Sequence, residues 1–554
     1  MRIAPIRSTL LLAALAGLAS ARQPVRARHA MVVSQEQFAT EAGVRALRAG
    51  GNAIDAAITV GFALAVTYPA AGNLGGGGFM LVRLADGRTA FLDFRERAPE
   101  KASRDMYLDA SGKITNGSIE GWRAPGVPGT VRGLEHAHRK WSRKPWAELV
   151  APAIDLARNG FPMPYELATS LGRSKRLARF PESSRIFQHK GIEPGERLVQ
   201  SDLARTLERI ARDGARDFYE GETARILARE MAAKGGLITL ADLRNYTVRE
   251  REPLRGRYGD YDIFTAPPPS SGGIGLLQML GMLEGSGYEK PGQGAAATIH
   301  FVTEVMRRYY ADRAEHFADP DFHRVPVSAL LDPAYIARRR ESIDPERATP
   351  SDTVRPGSFA SAESAETTHY SVVDSEGNAV AVTYTLNGSY GSGVTVPGLG
   401  VLLNNEMDDF AAKPGMSNMF GLVQGEANAI APGKRPLSSM TPTIVLRNGR
   451  LFLVYGGPGG GRIITSVLQV FLNIVDFGLN VQDAIDRPRF HHQWKPDRIT
   501  LEPGFSPDTI RLLERRGHTV EVAPPASRIE AILIDGGWLQ GAADGRGLGA
   551  AQGY

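Results

Sequence analysis

The chain has 554 residues, 42% of them hydrophobic and 23% charged, a composition with enough apolar side chains for a substantial globular core. Its formal net charge is +5, but acidic and basic residues are interspersed, with no Lys/Arg tract and no aromatic–basic interleaving, which argues against a nucleic-acid partner. The absence of cysteine excludes disulfides, thiol catalysis, cysteine-linked lipid and cysteine-ligated zinc.

Residues 1–21, MRIAPIRSTLLLAALAGLASA, place Arg2 and Arg7 before an apolar run and end in the small residues Ala19-Ser20-Ala21. This pattern predicts a secretory signal peptide; the run is too short to span a bilayer. QEQFATEAGVRALRAG has helical periodicity and stops at Gly50-Gly51, and Asn52 can cap a second helix through about Val66. GNLGGGGF (72–79) follows, then FMLVRL and TAFLDF around an Ala-Asp-Gly-Arg turn, which predicts a hairpin ending at Arg95. From about residue 130 to 340 the pattern is mainly helical, with the loop APPPSSGG (266–273) leading into the helical run IGLLQMLGML.

Residues 343–366 are Pro-, Ser-, Ala- and charge-rich with hardly a large apolar side chain, and read as a soft boundary. Beyond it the chain turns β-rich. TTHYSVVDSEGNAVAVTYTLN (367–387) alternates apolar and polar residues around a turn near Glu376, so partner positions sum to about 752 and Thr367 faces Thr385. TPTIVLRNGRLFLVYGG carries an Asn448-Gly449 turn, IITSVLQVFLNIVDFG reads as a helix, and AILIDGGWLQGA as a last hairpin. Helices mixed with antiparallel strands, without repeated βαβ units, predict an α+β fold with layered sheets.

Several signatures of chemistry are missing: G-x-S-x-G, a glycine run ending in GK[ST], and H-E-x-x-H. His491 and His492 are adjacent, so on a strand they face opposite ways and cannot share a metal; they read as hydrogen-bonded structural histidines. Four features remain, each with a plainer alternative. Thr367 opposite Thr385, with Asn387 close by, could be a nucleophile or merely strand-favouring threonine. NNEMDDF (404–410) could hold a cation through Glu406, Asp408 and Asp409, or be a solvated turn. RPLSSMTPT (435–443) pairs Ser438 with Ser439, and could equally be a polar loop. YGGPGGGR (455–462) lies between a strand and a helix, where glycines let backbone N–H groups meet an anion, or simply pack tightly.

Taken together, these stretches resemble the bacterial gamma-glutamyltranspeptidases. The resemblance runs from about Met31 to Tyr554 and is carried by GNLGGGGFM, LDFRERAP, PPPSSGG, TTHYSVVD, NNEMDDFAAKPG, KRPLSSMTPT, GGPGGGRIITSVLQV and RPRFHHQW, eight blocks in order. It implies an N-terminal nucleophile hydrolase, an αββα sandwich made as a precursor and cut between Glu366 and Thr367. The products would be a large subunit of residues 22–366 and a small subunit of 367–554, held as a heterodimer. The freed α-amino group, with a pKa of about 7.7–8.0, would serve as base for the Thr367 hydroxyl.

The resemblance further implies that Thr385 orients Thr367 and that Gly459 and Gly460 donate N–H bonds to the oxyanion. Arg95, helped by Ser438, Ser439 and Met440, would grip the donor's α-carboxylate. Asn387, Glu406 and Asp409 would hold its α-ammonium. Glutathione and related γ-glutamyl compounds would be donors, water, amino acids or peptides would be acceptors, and neither metal nor cofactor would be needed. Export would lead to the periplasm, with no membrane span after signal removal. One departure stands out in the segment PGMSNMFGLVQG (414–425), which matches the family's lid loop: Phe420 occupies a position where some bacterial members have a tyrosine. A same-fold acylase for glutaryl or cephalosporin side chains, or a poly-γ-glutamate depolymerase, is the alternative, disfavoured because an acyl group without an α-amine has no use for Glu406 and Asp409. An exported binding protein without activity is the remaining one.

Overall fold

The computed structural model describes residues 22–189, 192–357, 368–423 and 425–554; the signal segment and Thr367 lie outside these. Two seven-stranded antiparallel sheets face one another. The first runs in the order Ala550–Gly553, Met31–Ser34, Thr368–Val373, Ala379–Thr385, Gly77–Arg83, Thr89–Phe94 and Arg249–Arg251. The second runs Val25–Ala27, Trp538–Ala543, Glu530–Asp535, Arg450–Gly456, Thr443–Arg447, Tyr261–Thr265 and Leu254–Tyr258.

Strand alternation sorts the side chains into layers. Met31, Phe79, Leu81, Phe91, Val373 and Ala381 of the first sheet meet Ile444, Val454, Ile532 and Leu539 of the second in one core. The intervening residues Val32, Met80, Val82, Val372, Val380 and Val382 face helices instead. On the far side Ile263, Val445, Leu453 and Ala531 pack beneath the helices Gly272–Leu283, Ala296–His316 and Arg462–Val475. The architecture is the four-layer αββα sandwich that the resemblance implies.

Local sequence explains the elements nearest the sheets. Asn52 and Asp55 form a reciprocal capping box at the start of the helix Ala53–Thr67. That helix is buried on every face, which is why its sequence shows no polar stripe. Asn448 and Gly449 both take positive φ (50° and 75°), the pairing that a two-residue hairpin turn requires. In the hairpin after residue 367, the register runs from Thr368↔Tyr384 to Val373↔Ala379, so every pair sums to 752 as the turn position predicts.

The region 130–340 is mainly helical as expected, interrupted by the hairpin Leu254–Tyr258 and Tyr261–Thr265 at the edge of the second sheet. One expectation is corrected: the described part of the boundary segment is tied down rather than soft. Arg308 donates to Ser342 O (2.5 Å), Thr349 N to Glu304 (3.2 Å), Arg307 to Ser351 Oγ (2.5 Å) and Gly357 N to Asp312 (3.0 Å). Several polar groups there, Ser351 above all, are the partners of buried charges on the helix Ala296–His316. His491 and His492 are the structural histidines expected, bonded to Thr465 and Gln493 and to Asp497 respectively.

Among the described residues, no helix is long and apolar enough to cross a membrane.

Candidate active site

The strand Ala379–Thr385 brings Thr385 and Asn387 to one end of the first sheet. Thr385 Oγ1 accepts the Asn387 N–H (2.7 Å), and Thr385 O accepts from Asn73 Nδ2 (2.8 Å). Asn73 also takes the N–H of Gly76 (3.0 Å) and the hydroxyl of Thr130 (2.7 Å), tying the glycine-rich loop to the end of this strand. A side chain at Gly76 would collide with Thr385 O, so the loop's glycine permits this close approach. Asn73 carries no charge and sits inside a glycine run, so nothing in its residue type marked it beforehand.

Asn387 adopts a positive φ of 70°, a conformation asparagine tolerates better than most residues. Asn405 holds it there, accepting from Asn387 Nδ2 at its carbonyl (2.9 Å) and from Gly388 N at its side chain (2.9 Å). Asn404 in turn braces the same loop against Gly75 and Gly126. The next four residues, Glu406–Asp409, form a 3₁₀ turn with Glu406 and Asp409 buried. It is therefore no solvated turn.

Arg95, at the end of the strand Thr89–Phe94, makes ion pairs with both Glu406 and Asp409. Its guanidinium also donates to the carbonyls of Pro436 (3.2 Å) and Leu437 (2.8 Å), and Glu96 lies 3.7 Å away. Glu96, an unforeseen member of the group, stands beside Arg95 in the block LDFRERAP. The immediate surroundings thus hold one cation and three carboxyl groups, all sealed from solvent. Burial pushes Glu96 up to about 7 against the lowering pull of Arg95. It raises Glu406 well above the carboxylate range for the same reason.

The segment 436–440 continues from Arg95 across the site. Ser438 N donates to Pro269 O (2.8 Å) and Ser438 O accepts from Ser271 N (2.8 Å), so the serine block is zipped to the loop 266–273. Ser439 Oγ accepts from Arg313 (3.1 Å), a buried arginine that the helical pattern gave no reason to single out. The Met440 side chain enters the core between the sheets, leaving only its backbone facing this segment.

Gly459 and Gly460 precede the helix Arg462–Val475 with φ of 135° and 66°. Among the described residues neither N–H finds an acceptor, so both remain available to an anion at a helix N-terminus. Gly459 and Asn387 line one cleft of about 390 Å³ together with Ser389, Ser527 and Arg528. Arg95, Glu406 and Asp409 do not line it; in this structure they pair with one another beneath the surface. The segment that matches the family's lid loop is held by Asp408, which accepts from Met419 N (3.3 Å), and by Gln493, which donates to Gly421 O (3.2 Å). Phe420 is half-buried and borders a second cavity with Gly388.

Comparison with known proteins agrees with this geometry. The family model for gamma-glutamyltranspeptidase matches residues 39–554. The glutathione hydrolase proenzyme of Escherichia coli (strain K12) is 49% identical over 531 residues, 95% of this chain and 92% of that relative. The crystal structure of cephalosporin acylase from Bacillus halodurans superposes with a TM-score of 0.86 at 28% identity, covering 96% of this chain and 97% of its own. That of Helicobacter pylori gamma-glutamyltranspeptidase gives 0.58 at 40% identity, covering 64% and 97%. An unbroken match from Ala39 to the C-terminus, on a sandwich that gathers the charged, asparagine and glycine blocks at one end, places this chain in the gamma-glutamyltranspeptidase family.

Proposed function

We propose that the protein is an exported gamma-glutamyltransferase with glutathione hydrolase activity, matured by self-cleavage between Glu366 and Thr367. The observation that carries this reading is the charge imbalance around Arg95. One guanidinium facing Glu96, Glu406 and Asp409 leaves a buried surplus of acid, relieved in part by raised carboxyl pKa values. An α-amino acid head group supplies what is missing: its ammonium can take the acidic side while its carboxylate takes the guanidinium fork. A glutaryl group brings no cation and would leave the surplus standing.

In the mechanism, the α-amine of mature Thr367 removes the proton from its own hydroxyl as Oγ attacks the γ-glutamyl carbonyl carbon. The carbonyl oxygen becomes an oxyanion held by the N–H groups of Gly459 and Gly460, each donor contributing roughly 3–4 kcal/mol. The amine leaving group departs with the proton, and a γ-glutamyl ester remains on Thr367. Water or an amino-group acceptor then attacks the ester and regenerates the threonine. Thr385, which already accepts the Asn387 N–H, would orient Thr367.

Division into chains 22–366 and 367–554 is supported by the Helicobacter pylori chain, whose 64% share of this one approaches the fraction that residues 22–366 represent. The relative's designation as a proenzyme agrees with maturation. The signal-like residues 1–21 favour the periplasm.

Turnover of γ-glutamyl-anilide against glutaryl-anilide tests the reading. Preference for the γ-glutamyl compound is expected, together with two polypeptides by intact mass, the smaller beginning at Thr367. Preference for glutaryl, or a single active unprocessed chain, would overturn it.

A further inference from the structure

We propose that an open basic depression beside the cleft, lined by Arg173, Lys175 and Arg176, receives the carboxylate of the dipeptide that leaves the γ-glutamyl group or accepts it. The proposal rests on the function given above and names the part of the site that faces away from the glutamyl head group.

The cavity measures about 490 Å³ and no acidic residue lines it. It shares Ser389 with the cleft that contains Asn387 and Gly459, and Gly388 forms part of its wall. A single loop therefore separates the two spaces. Arg176 fixes that loop, donating to Ser389 O (3.2 Å) and Gly391 O (2.7 Å). Its guanidinium also approaches to 2.9 Å of the point where a Gly388 Cβ would stand, so glycine is what lets the cation reach the loop. On the other side Met419 and Phe420 of the lid close the wall.

Arg173 and Lys175 are exposed, and among the described residues neither forms an ion pair. The acids in the neighbourhood are already committed: Glu120 pairs with Arg179 (2.7 Å), and Asp408 accepts from Ser118 (2.8 Å) and Met419. Arg173 ends the helix Tyr165–Arg173 and there favours its dipole. That role does not account for Lys175 and Arg176, which follow the helix and face the same space.

Chemistry supplies the occupant. The deep site neutralises the charges of the glutamyl head group, which leaves one further charge on glutathione, the carboxylate at the end of its leaving dipeptide. Two extended residues reach about 7 Å, and Ser389 borders both spaces. Aminolysis reverses the departure step, so an acceptor dipeptide places its carboxylate where the leaving group had its own. The space is open to solvent, so Arg173 and Lys175 act on that position as partly screened charges.

Steady-state kinetics of the mature enzyme tests this with glutathione and γ-glutamyl-anilide, whose leaving group has no carboxylate. The double variant Arg173→Gln/Lys175→Gln is expected to raise KM for glutathione about five-fold, the effect of a partly exposed ion pair, and to leave the anilide unchanged. The charge-keeping pair Arg173→Lys/Lys175→Arg should restore the glutathione KM. An unchanged glutathione KM, or an equal loss on both donors, would overturn the subsite. Failure of the unsubstituted enzyme to use either donor would instead overturn the function on which it rests.

Discussion

Arg95 and Asp409 are in direct ion-pair contact with both side chains sealed from solvent, although one comes from the end of an early strand and the other from a 3₁₀ turn more than three hundred residues later. Neither position is needed to complete a hydrophobic core, and burying such a pair gains little stability by itself. The contact makes sense as a receptor closed on itself, in which opposite charges wait within reach of a zwitterion.

Arg95→Gln removes the cation from three buried carboxyl groups and is expected to cost about 3–5 kcal/mol of stability. It should also lower kcat/KM for γ-glutamyl-anilide about 100-fold or more. Arg95→Lys retains charge but loses the fork that reaches Glu406, Asp409 and the carbonyls of Pro436 and Leu437 together. It should recover stability more than activity. Denaturant unfolding and initial rates on the same preparations separate the two effects.

Proton release gives the second prediction. Glu96, raised to about 7, and Glu406, raised well above the carboxylate range, still hold protons where ordinary carboxyl groups have lost them. An arriving ammonium favours their ionised forms, so binding of L-glutamate should release protons between about pH 5 and 7 and tighten as pH rises through that window. The folded pKa values lie above the unfolded ones. The stability Glu96 contributes is therefore fully present at low pH and is lost as pH rises through about 7. Calorimetric titration in two buffers of different ionisation enthalpy reads the protons directly. Release with L-glutamate and none with glutarate is the expected pair of results; no release with either would contradict the assigned roles of Glu406 and Asp409.

Local pattern carried the hairpins and helices whose burial follows simple alternation or capping. The register summing to 752, the Asn448-Gly449 turn and the Asn52 cap all depend on residues within a few positions of one another. What stayed hidden depends on distant partners. Arg307, Arg308 and Arg313 look like the wet face of a helix, yet all three are buried, and they donate to Ser351, Ser342 and Ser439, each distant in sequence. The strands Leu254–Tyr258 and Tyr261–Thr265 are five residues each and bury few apolar side chains, which leaves them little signal beside the helical stretches around them. In the site, residue type exposed Arg95, Glu406 and Asp409 once the family blocks were assembled, whereas Asn73, Glu96, Asn405 and Arg313 act through other residues and left no separate mark.

Phe420→Tyr probes the lid. Asn387 Oδ1 is buried and has no hydrogen-bond donor among the described residues, while Phe420 borders the cavity against the adjoining Gly388. A hydroxyl on that ring can supply the donor, and one such bond contributes about 0.5–1.5 kcal/mol. Closing the lid more firmly should exclude water from the γ-glutamyl ester and raise the ratio of transfer to hydrolysis about three-fold. Partitioning of a γ-glutamyl donor between glutamate and a γ-glutamyl-dipeptide product measures it. If the ratio does not move, Phe420 already closes the lid as well as a tyrosine can.

Gly459 and Gly461 differ in a way that isolates the oxyanion donors. Gly459 sits at φ 135°, and a methyl there would stand 2.6 Å from Ser527 Cβ and 2.8 Å from Ala526 O. Both the strained dihedral and the collision force the backbone to move, turning its N–H away from the reacting carbonyl. Gly459→Ala should lower kcat about 100-fold, the loss typical of one oxyanion donor, with KM changed far less. Gly461 has an ordinary helical φ of −49°, and a methyl there meets only the Leu422 side chain, at 3.3 Å. Gly461→Ala should therefore stay within a few-fold of the unsubstituted enzyme. Equal damage from both substitutions, measured on fully processed protein, would mean that the glycine run serves packing rather than the transition state.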